Sequence, residues 1–418
     1  MSLSRGLSAM GVRNYRLFWS GQLISLVGTW MDSVAQSWLI LLLTNDPVAL
    51  GLRAVFQFVP VMVLGLFGGI IADTLPKRAT LYVTQAGSGL VALTLGVLTL
   101  TGTVQVWHIY LLAAILGCIS AVDMPVRQSF VVEMVGREHV VNAVALNSAT
   151  FNGARIIGPA VGGVLIGAVG VGLCFMLNAA SYLAVLAALF LMREVELHPG
   201  IRSPVPHSVR AVVDQLAEGL RYVQRTPSVF LAITVLGIVS TVALNFSVVM
   251  PLYAAETLRG DASTYGYLMA AAGVGSLAAA LLIAFGMRPT LRLLVIGSAL
   301  IGIALIGLAI SPMLLISLPI MVLLGFATIT MSATTNTLIQ LQVPDALRGR
   351  VMSVYTTVFA GTTPIGGLAS GVAMAVAGVT ATLAVAGGLT LLTAGAAATR
   401  LSGTARAGAA RVPPESLA

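Results

Sequence analysis

The chain has 418 residues, 58% of them hydrophobic and only 9% charged, with a formal net charge of +8 and a mean hydropathy of +0.99. A soluble domain carries roughly 25% charged residues because its surface must face water, so a soluble globule is excluded. The apolar residues come in blocks of about 20, the length a helix needs to cross a bilayer, and not in the alternating segments of about 10 that a membrane barrel requires.

Turn and breaker residues divide the chain into twelve expected spans. They run over 15–43, 48–72, 79–101, 107–125, 142–167 and 171–192 in the first half, and 229–255, 264–286, 290–309, 312–336, 350–376 and 380–400 in the second. The residues before span 1 are polar and the run that follows is a full span, so no cleavable signal is expected. Charge at the bilayer centre costs on the order of 2.5–3.5 kcal/mol, and such residues face a cavity or a partner. Span 1 carries Asp32, span 2 opens with Arg53, and Arg155 lies well inside span 5. Spans 1 and 2 form a hairpin, which places Asp32 and Arg53 within reach of one another. Trp30, Gln36, Trp38, Gln57, Asn147, Asn245 and Asn336 are the polar or amphipathic residues expected to line a central cavity, the ordinary form of a small-molecule site.

Nearly all of the 22 Lys and Arg fall in loops on the side that holds the N-terminus. Positive-inside asymmetry predicts a cell (inner, cytoplasmic) membrane protein with both termini and the central connector in the cytoplasm. The positive charge is therefore a topology signal that also suits anionic lipid, and no nucleic-acid partner is expected. Sliding the sequence along itself by about half its length carries Val135 onto Val343, Phe151 onto Phe359, Gly153 onto Gly361 and Gly158 onto Gly366. The organisation expected is a six-helix bundle over 1–193, a connector over 194–226, a second six-helix bundle over 227–402 and a disordered tail over 403–418. In the connector, Val209, Val212, Val213, Leu216, Leu220 and Val223 recur at helical spacing, predicting an amphipathic helix on the inner leaflet. Cys118 and Cys174 read as small core residues, and the four histidines have no ligand spacing; neither metal nor cofactor is expected. The 14 acidic residues form no metal–diphosphate cluster and there is no phosphate-binding Gly-rich loop with Lys, which argues against a transferase and against ATP-driven transport.

Three local sequences carry a resemblance. The loop after span 2 reads Gly69-Ile-Ile-Ala-Asp73-Thr-Leu-Pro-Lys77-Arg78, span 4 ends Asp123-Met-Pro-Val-Arg127, and span 5 contains Arg155-Ile-Ile-Gly158-Pro159-Ala-Val-Gly162-Gly163. With Gly28-Thr-Trp30-Met in span 1, they resemble the major facilitator superfamily, in its drug:proton antiporter branch that holds macrolide exporters and the enterobactin exporter. Thr74 and Pro76 depart from the loop signature, and the second half has no acidic copy of it. The resemblance implies an all-α fold of twelve transmembrane helices, two six-helix bundles related by pseudo-two-fold symmetry. It also implies a proton-coupled exporter of amphipathic drugs or siderophores, working by alternating access, with a monomer sufficient. Importer and non-transporting sensor or scaffold remain the alternatives. By the same resemblance Gly69, Asp73, Lys77, Arg78, Asp123 and Arg127 form a gating motif, with Asp73 facing the start of span 11 near Arg350. Lys77 is expected to pair with Asp123. Gly158, Pro159, Gly162 and Gly163 form an antiporter-type packing motif. Asp32, Arg53 and Arg155 are the proton-coupling candidates, with Asp32 the carrier; a static Asp32–Arg53 bridge accounts for that pair equally well.

Overall fold

A computed structural model describes residues 8–198 and 209–409, leaving the side chains of 66–73, 209–213, 345, 346 and 402–409 outside the description. Every regular element among the described residues is helical. Helix α1 (Arg13–Thr44) ends where Asn45 turns left-handed and its N–H returns to the Leu41 carbonyl, so that α2 (Pro47–Thr74) starts back at once. Helix α3 (Lys77–Leu100) follows. The next helix runs over Val106–Val169, 64 residues; at 1.5 Å per residue this would be about 96 Å, three times the hydrocarbon thickness. Gly136, at φ 67° and ψ 176°, breaks it into α4 (106–135) and α5 (137–169), a backbone angle that costs glycine little. Helix α6 (Val171–Leu191) completes the first six spans.

The connector helix is α7 (Val209–Arg225). Helix α8 (Pro227–Thr257) is interrupted at Leu244 and Asn245. Then come α9 (Ala262–Ala284), α10 (Leu291–Ile310) and α11 (Leu314–Gln342). The last helix, Asp345–Ala409, breaks at Gly378 into α12 (345–377) and α13 (379–409). Ten continuous helices among the described residues are long and apolar enough to span. Two of them are broken mid-course and cross twice, which accounts for the twelve spans. Gly170, between α5 and α6, and Gly378, between α12 and α13, both have positive φ, and the sequence shift that carries Gly158 onto Gly366 carries one onto the other.

Within the first bundle α1 packs on α5 and α6, and α3 on α6; within the second, α8 packs on α12, α9 on α11 and α10 on α13. The bundles meet along two seams. Helix α5 crosses α9 where a Cβ added to Gly163 would lie 2.7 Å from Gly266 Cα and 2.8 Å from the Ala262 carbonyl oxygen. Helix α2 crosses α12 where a Cβ on Gly51 would lie 2.7 Å from the Gly367 carbonyl oxygen. Small residues allow this backbone-to-backbone approach. Both contacts lie at the end remote from the Lys- and Arg-bearing loops. That end is termed the opposite face and the other the basic face. The seams run on toward the basic face, to Ile156 against Gly273 and Met62 against Gly361, and nearer that face Gly65 on α2, Gly153 on α5 and Gly349 on α12 would have nothing within 4 Å of an added Cβ.

Two expectations change. Part of the apolar stripe of α7 meets protein: Val223 is buried among Val229, Ile233, Ile339, Val343, Val351 and Val354 with Leu216 beside it, while Leu220 is exposed and the side chains of Val209, Val212 and Val213 lie outside the described residues. Glu218 pairs with Arg350 and the Tyr222 hydroxyl donates to the Gln342 carbonyl at 3.5 Å, so the C-terminal turns of α7 dock on α12 and the end of α11. The tail is helical as far as Ala409, consistent with alanine's high helix propensity; 410–418 lie outside the described residues. Cys174 is buried as expected, whereas Cys118 is exposed on the bundle's exterior.

Candidate functional site

The intramembrane charge on α1 sits beside the closed seams, level with Gly162, whose added Cβ would lie against Met31. Asp32 is 5% exposed and Arg53 on α2 is 6% exposed. They are not joined directly. Gln36, one turn beyond Asp32, donates from Nε2 to Asp32 Oδ2 at 2.6 Å and accepts at Oε1 from Arg53 Nε at 2.9 Å. The direct Asp32–Arg53 bridge expected from the hairpin is thus a relay, because the Gln36 amide occupies the space between the two charges. Arg53 Nη1 also reaches Ser37 Oγ at 3.4 Å. Tyr265, fully buried on α9, faces Ser37 and Arg53 from the other bundle. Asn178 of α6 adjoins the Asp32 carboxylate, yet Asp32 Oδ1 is buried without a hydrogen bond of good geometry. An ionised carboxylate with an unserved buried oxygen is costly, and a proton on that oxygen removes the cost of the charge.

Arg155 stands apart. On α5 it lies one turn toward the basic face from Gly158, which abuts Val27, Trp30 and Met31 of α1, and from Pro159, whose carbonyl abuts Gly266 of α9. Helical register therefore aims Arg155 into the wedge between α1 and α9, level with the Ile156–Gly273 contact that continues the seam and about 10 Å from the level of Gly162 at 1.5 Å per residue. Beside it Trp30 and Phe151 meet edge to face, centroids 5.6 Å apart.

Toward the basic face, Lys77 pairs with Glu133 and not with Asp123. Glu133 is ten residues farther along α4, about 15 Å nearer the surface where Lys77 begins α3. Asp123 is instead held inside the bundle by Thr84 Oγ1 at 2.7 Å, Gln85 Nε2 at 2.8 Å and Arg127 Nη2 at 3.2 Å. Arg127 also donates to Gln22 Oε1 at 2.9 Å. Arg78 donates to the Leu189 carbonyl from Nε and Nη2, pairs with Glu194 and lies over the Tyr82 ring, tying α3 to the end of α6. The side chains of Gly69 and Asp73 lie outside the described residues, although α2 runs through both.

The other candidates separate. Trp30 lies on α1 beside Arg155; Asn147, which accepts from the Tyr15 hydroxyl at 3.0 Å, lies on α5 two turns before Arg155, and Gln57 is half-buried on α2. Trp38 is packed in the hydrophobic core. Asn245 donates to the Thr241 carbonyl at 2.7 Å at the break in α8, and Asn336 accepts from Gln340 at 2.5 Å in the second bundle. Sequence reasoning missed Ser37, Asn178 and Tyr265 because a single polar residue in an apolar helix carries no sign of what it faces. Glu133 and Glu194 were legible only as charges near loop ends.

Two helical bundles meeting across glycine seams around buried charge define a multi-pass membrane transporter of the major facilitator class. The profile of the family described as transmembrane secretion effector matches residues 4–413, and the chain belongs to that family. It is 26% identical over 371 residues to the staphyloferrin A transporter of Staphylococcus aureus, covering 88% of this chain and 91% of that one. It is 26% identical over 348 residues to the enterobactin exporter EntS of Shigella flexneri, covering 82% and 80%. Among solved structures, the nucleoside transporter NupG superposes with a TM-score of 0.70 at 13% identity, covering 93% of this chain and 99% of that one. A bacterial homologue of the human lysosomal transporter Spinster, inward-facing and unoccupied, superposes with a TM-score of 0.67 at 13% identity, covering 92% and 94%. At such identity the two structures speak to the fold alone.

Proposed function

We propose that this protein is a proton-coupled exporter of amphipathic small molecules, of the siderophore or drug type, with its basic face in the cytoplasm. The relatives that move staphyloferrin A and enterobactin support the substrate range, and the distribution of Lys and Arg supports the orientation. The observation that carries the coupling is the relay Asp32–Gln36–Arg53, which ends against Tyr265 on the far side of the seam between bundles. Protonation of Asp32 alters the charge that Gln36 and Arg53 answer to, and Arg53 lies where the bundles must separate for the opposite face to open. Opening admits water to Asp32, and closing isolates it. Proton occupancy and seam state are thereby linked, which alternating access by rocking bundles requires.

The test is drug or siderophore uptake into liposomes under an imposed pH gradient. The native chain is expected to accumulate substrate only with the gradient. Asp32→Asn should lose gradient-driven accumulation by at least about 10-fold, the scale of one lost charge-assisted interaction, while still exchanging substrate down its own gradient. Accumulation by Asp32→Asn equal to that of the native chain would remove Asp32 from the coupling.

A further inference from the structure

We infer that Arg155 anchors a carboxylate on the transported molecule, so that the preferred substrates are amphipathic anions; this rests on the transport reading above. The other cations within the spans of the first bundle have partners in the chain, whereas half-buried Arg13, at the basic-face start of α1, has its Nη1 without one. Arg53 has Gln36 and Ser37, Arg127 has Asp123 and Gln22, and Lys77 has Glu133. Arg155 makes no hydrogen bond or ion pair among the described residues, and no carboxylate lies close enough to act on it. Its nitrogens are also absent from the sealed, unpartnered atoms of the interior, so the half-buried guanidinium keeps some exposed surface.

That surface faces the wedge between α1 and α9, where the seam ends at Ile156 and Gly273. The α5 stripe that faces it places Ser148, Phe151 and Asn152 on the turns before Arg155. Ser148 and Phe151 are exposed, Asn152 and Arg155 half-buried, and Asn152 donates to the Ser148 carbonyl at 2.8 Å. A lone charge at this depth is expensive unless something polar reaches it. Guanidinium offers a planar pair of donors that a carboxylate matches with two parallel bonds. The Trp30 and Phe151 rings, one turn away, offer apolar faces for the rest of an amphipathic molecule. Asp32 and Arg53 answer each other through Gln36, which leaves Arg155 as the cation facing the wedge without a partner among the described residues.

The experiment uses the full chain in lipid nanodiscs at one fixed pH, with no gradient. Aromatic amphiphiles are presented as pairs, each a carboxylic acid and its methyl ester, and binding is followed by intrinsic tryptophan fluorescence and calorimetry. The acids are expected to bind at least about 10-fold more tightly than their esters, as a charge-assisted contact implies. Arg155→Gln should abolish that preference and Arg155→Lys should keep part of it. Equal binding of acids and esters by the native chain overturns the inference, as does binding of no acid at all. An acid preference that persists in Arg155→Gln overturns it too. The acid–ester comparison on the native chain needs no variant to fold. Equilibrium binding needs no proton gradient either, so loss of coupling in liposomes and loss of anion preference here are separable results.

Discussion

In the first bundle, Asp32, Arg53 and Arg155 lie inside spans and Asp123 and Arg127 lie within α4, each on a helix that also carries its packing contacts. In the second bundle the described charges, such as Glu256, Arg259, Asp261, Arg288, Arg292, Arg350 and Arg400, stand at helix ends or in loops. The polar groups inside its described spans are neutral, and many are hydroxyls folded back on their own helices: Thr335 Oγ1 donates to the Met331 carbonyl at 2.9 Å and Ser298 Oγ to the Leu294 carbonyl at 3.0 Å. The backbones nonetheless match, down to the positive-φ glycines that end α5 and α12. One repeat has kept the shape and the other has kept the shape and the charge. The seams belong to both bundles and so are set by glycine; the chemistry belongs to one and is set by side chains that answer only within it or across a seam.

The largest expected effect tests the shared half of that comparison. Gly163→Leu and Gly51→Leu each place a branched side chain where an added Cβ already comes within 2.7 Å of the facing backbone. Neither backbone can retreat without parting the bundles. Overpacking of this kind costs about 1–3 kcal/mol, enough to shift the balance toward an open opposite face by about 10- to 100-fold. Distances between spin labels across that face should lengthen in both variants, and transport should fall with them. Equal effects would show the two seams to be mechanically equivalent; a seam that tolerates leucine would be the passive one.

Most of the fold was legible in the sequence, and for a physical reason. Apolar runs of spanning length cannot end inside a bilayer, so span number and order follow from composition and breakers. Even the unusual link of α4 to α5 through Gly136 falls between two spans that the sequence separates. The site was legible only as residue types. Asp32, Arg53 and Arg155 are conspicuous because charge in a membrane is rare, but the Gln36 relay depends on a rotamer and on one helical turn, and Tyr265 depends on how two bundles dock. The Lys77–Asp123 expectation failed because it matched charges by motif without asking how deep each lies along its helix. The leaflet placement of α7 changes in part: an amphipathic stripe says that something apolar covers it, and at Leu216 and Val223 that partner is protein, while Leu220 stays exposed.

Tyr265→Phe tests the asymmetric half with a smaller effect. It deletes only the hydroxyl that the second bundle contributes to Ser37 and Arg53 and leaves the packing of a fully buried ring. Loss of one neutral polar interaction costs roughly 0.5–1.5 kcal/mol, so the closed population should fall by about 3- to 10-fold. The readout is labelling of a cysteine placed at the opposite face. If labelling does not change, the relay ends at Arg53, and the first bundle holds its charge without help from the second.

The smallest effect contrasts two ion pairs on the basic face. Lys77 and Glu133 belong to the first bundle and are 15% and 18% exposed; Arg350 and Glu218, where the connector meets the second bundle, are 36% and 44% exposed. Exposed pairs contribute about 0–1 kcal/mol and weaken within a Debye length of about 8 Å at physiological salt. Removing one member of a mostly buried pair strands the other charge, at roughly 1–3 kcal/mol or more. Glu133→Gln should therefore lower the thermal midpoint of the protein in nanodiscs measurably, with little dependence on salt. Glu218→Gln should lower it by less, and by nothing at high salt, because α7 is held mainly by Val223 and its apolar neighbours and by the close approach of Gly219 to the Arg350 carbonyl. A larger loss from Glu218→Gln would mean that the connector is held by charge after all. The second bundle would then keep at its basic edge the electrostatic work that its interior lacks.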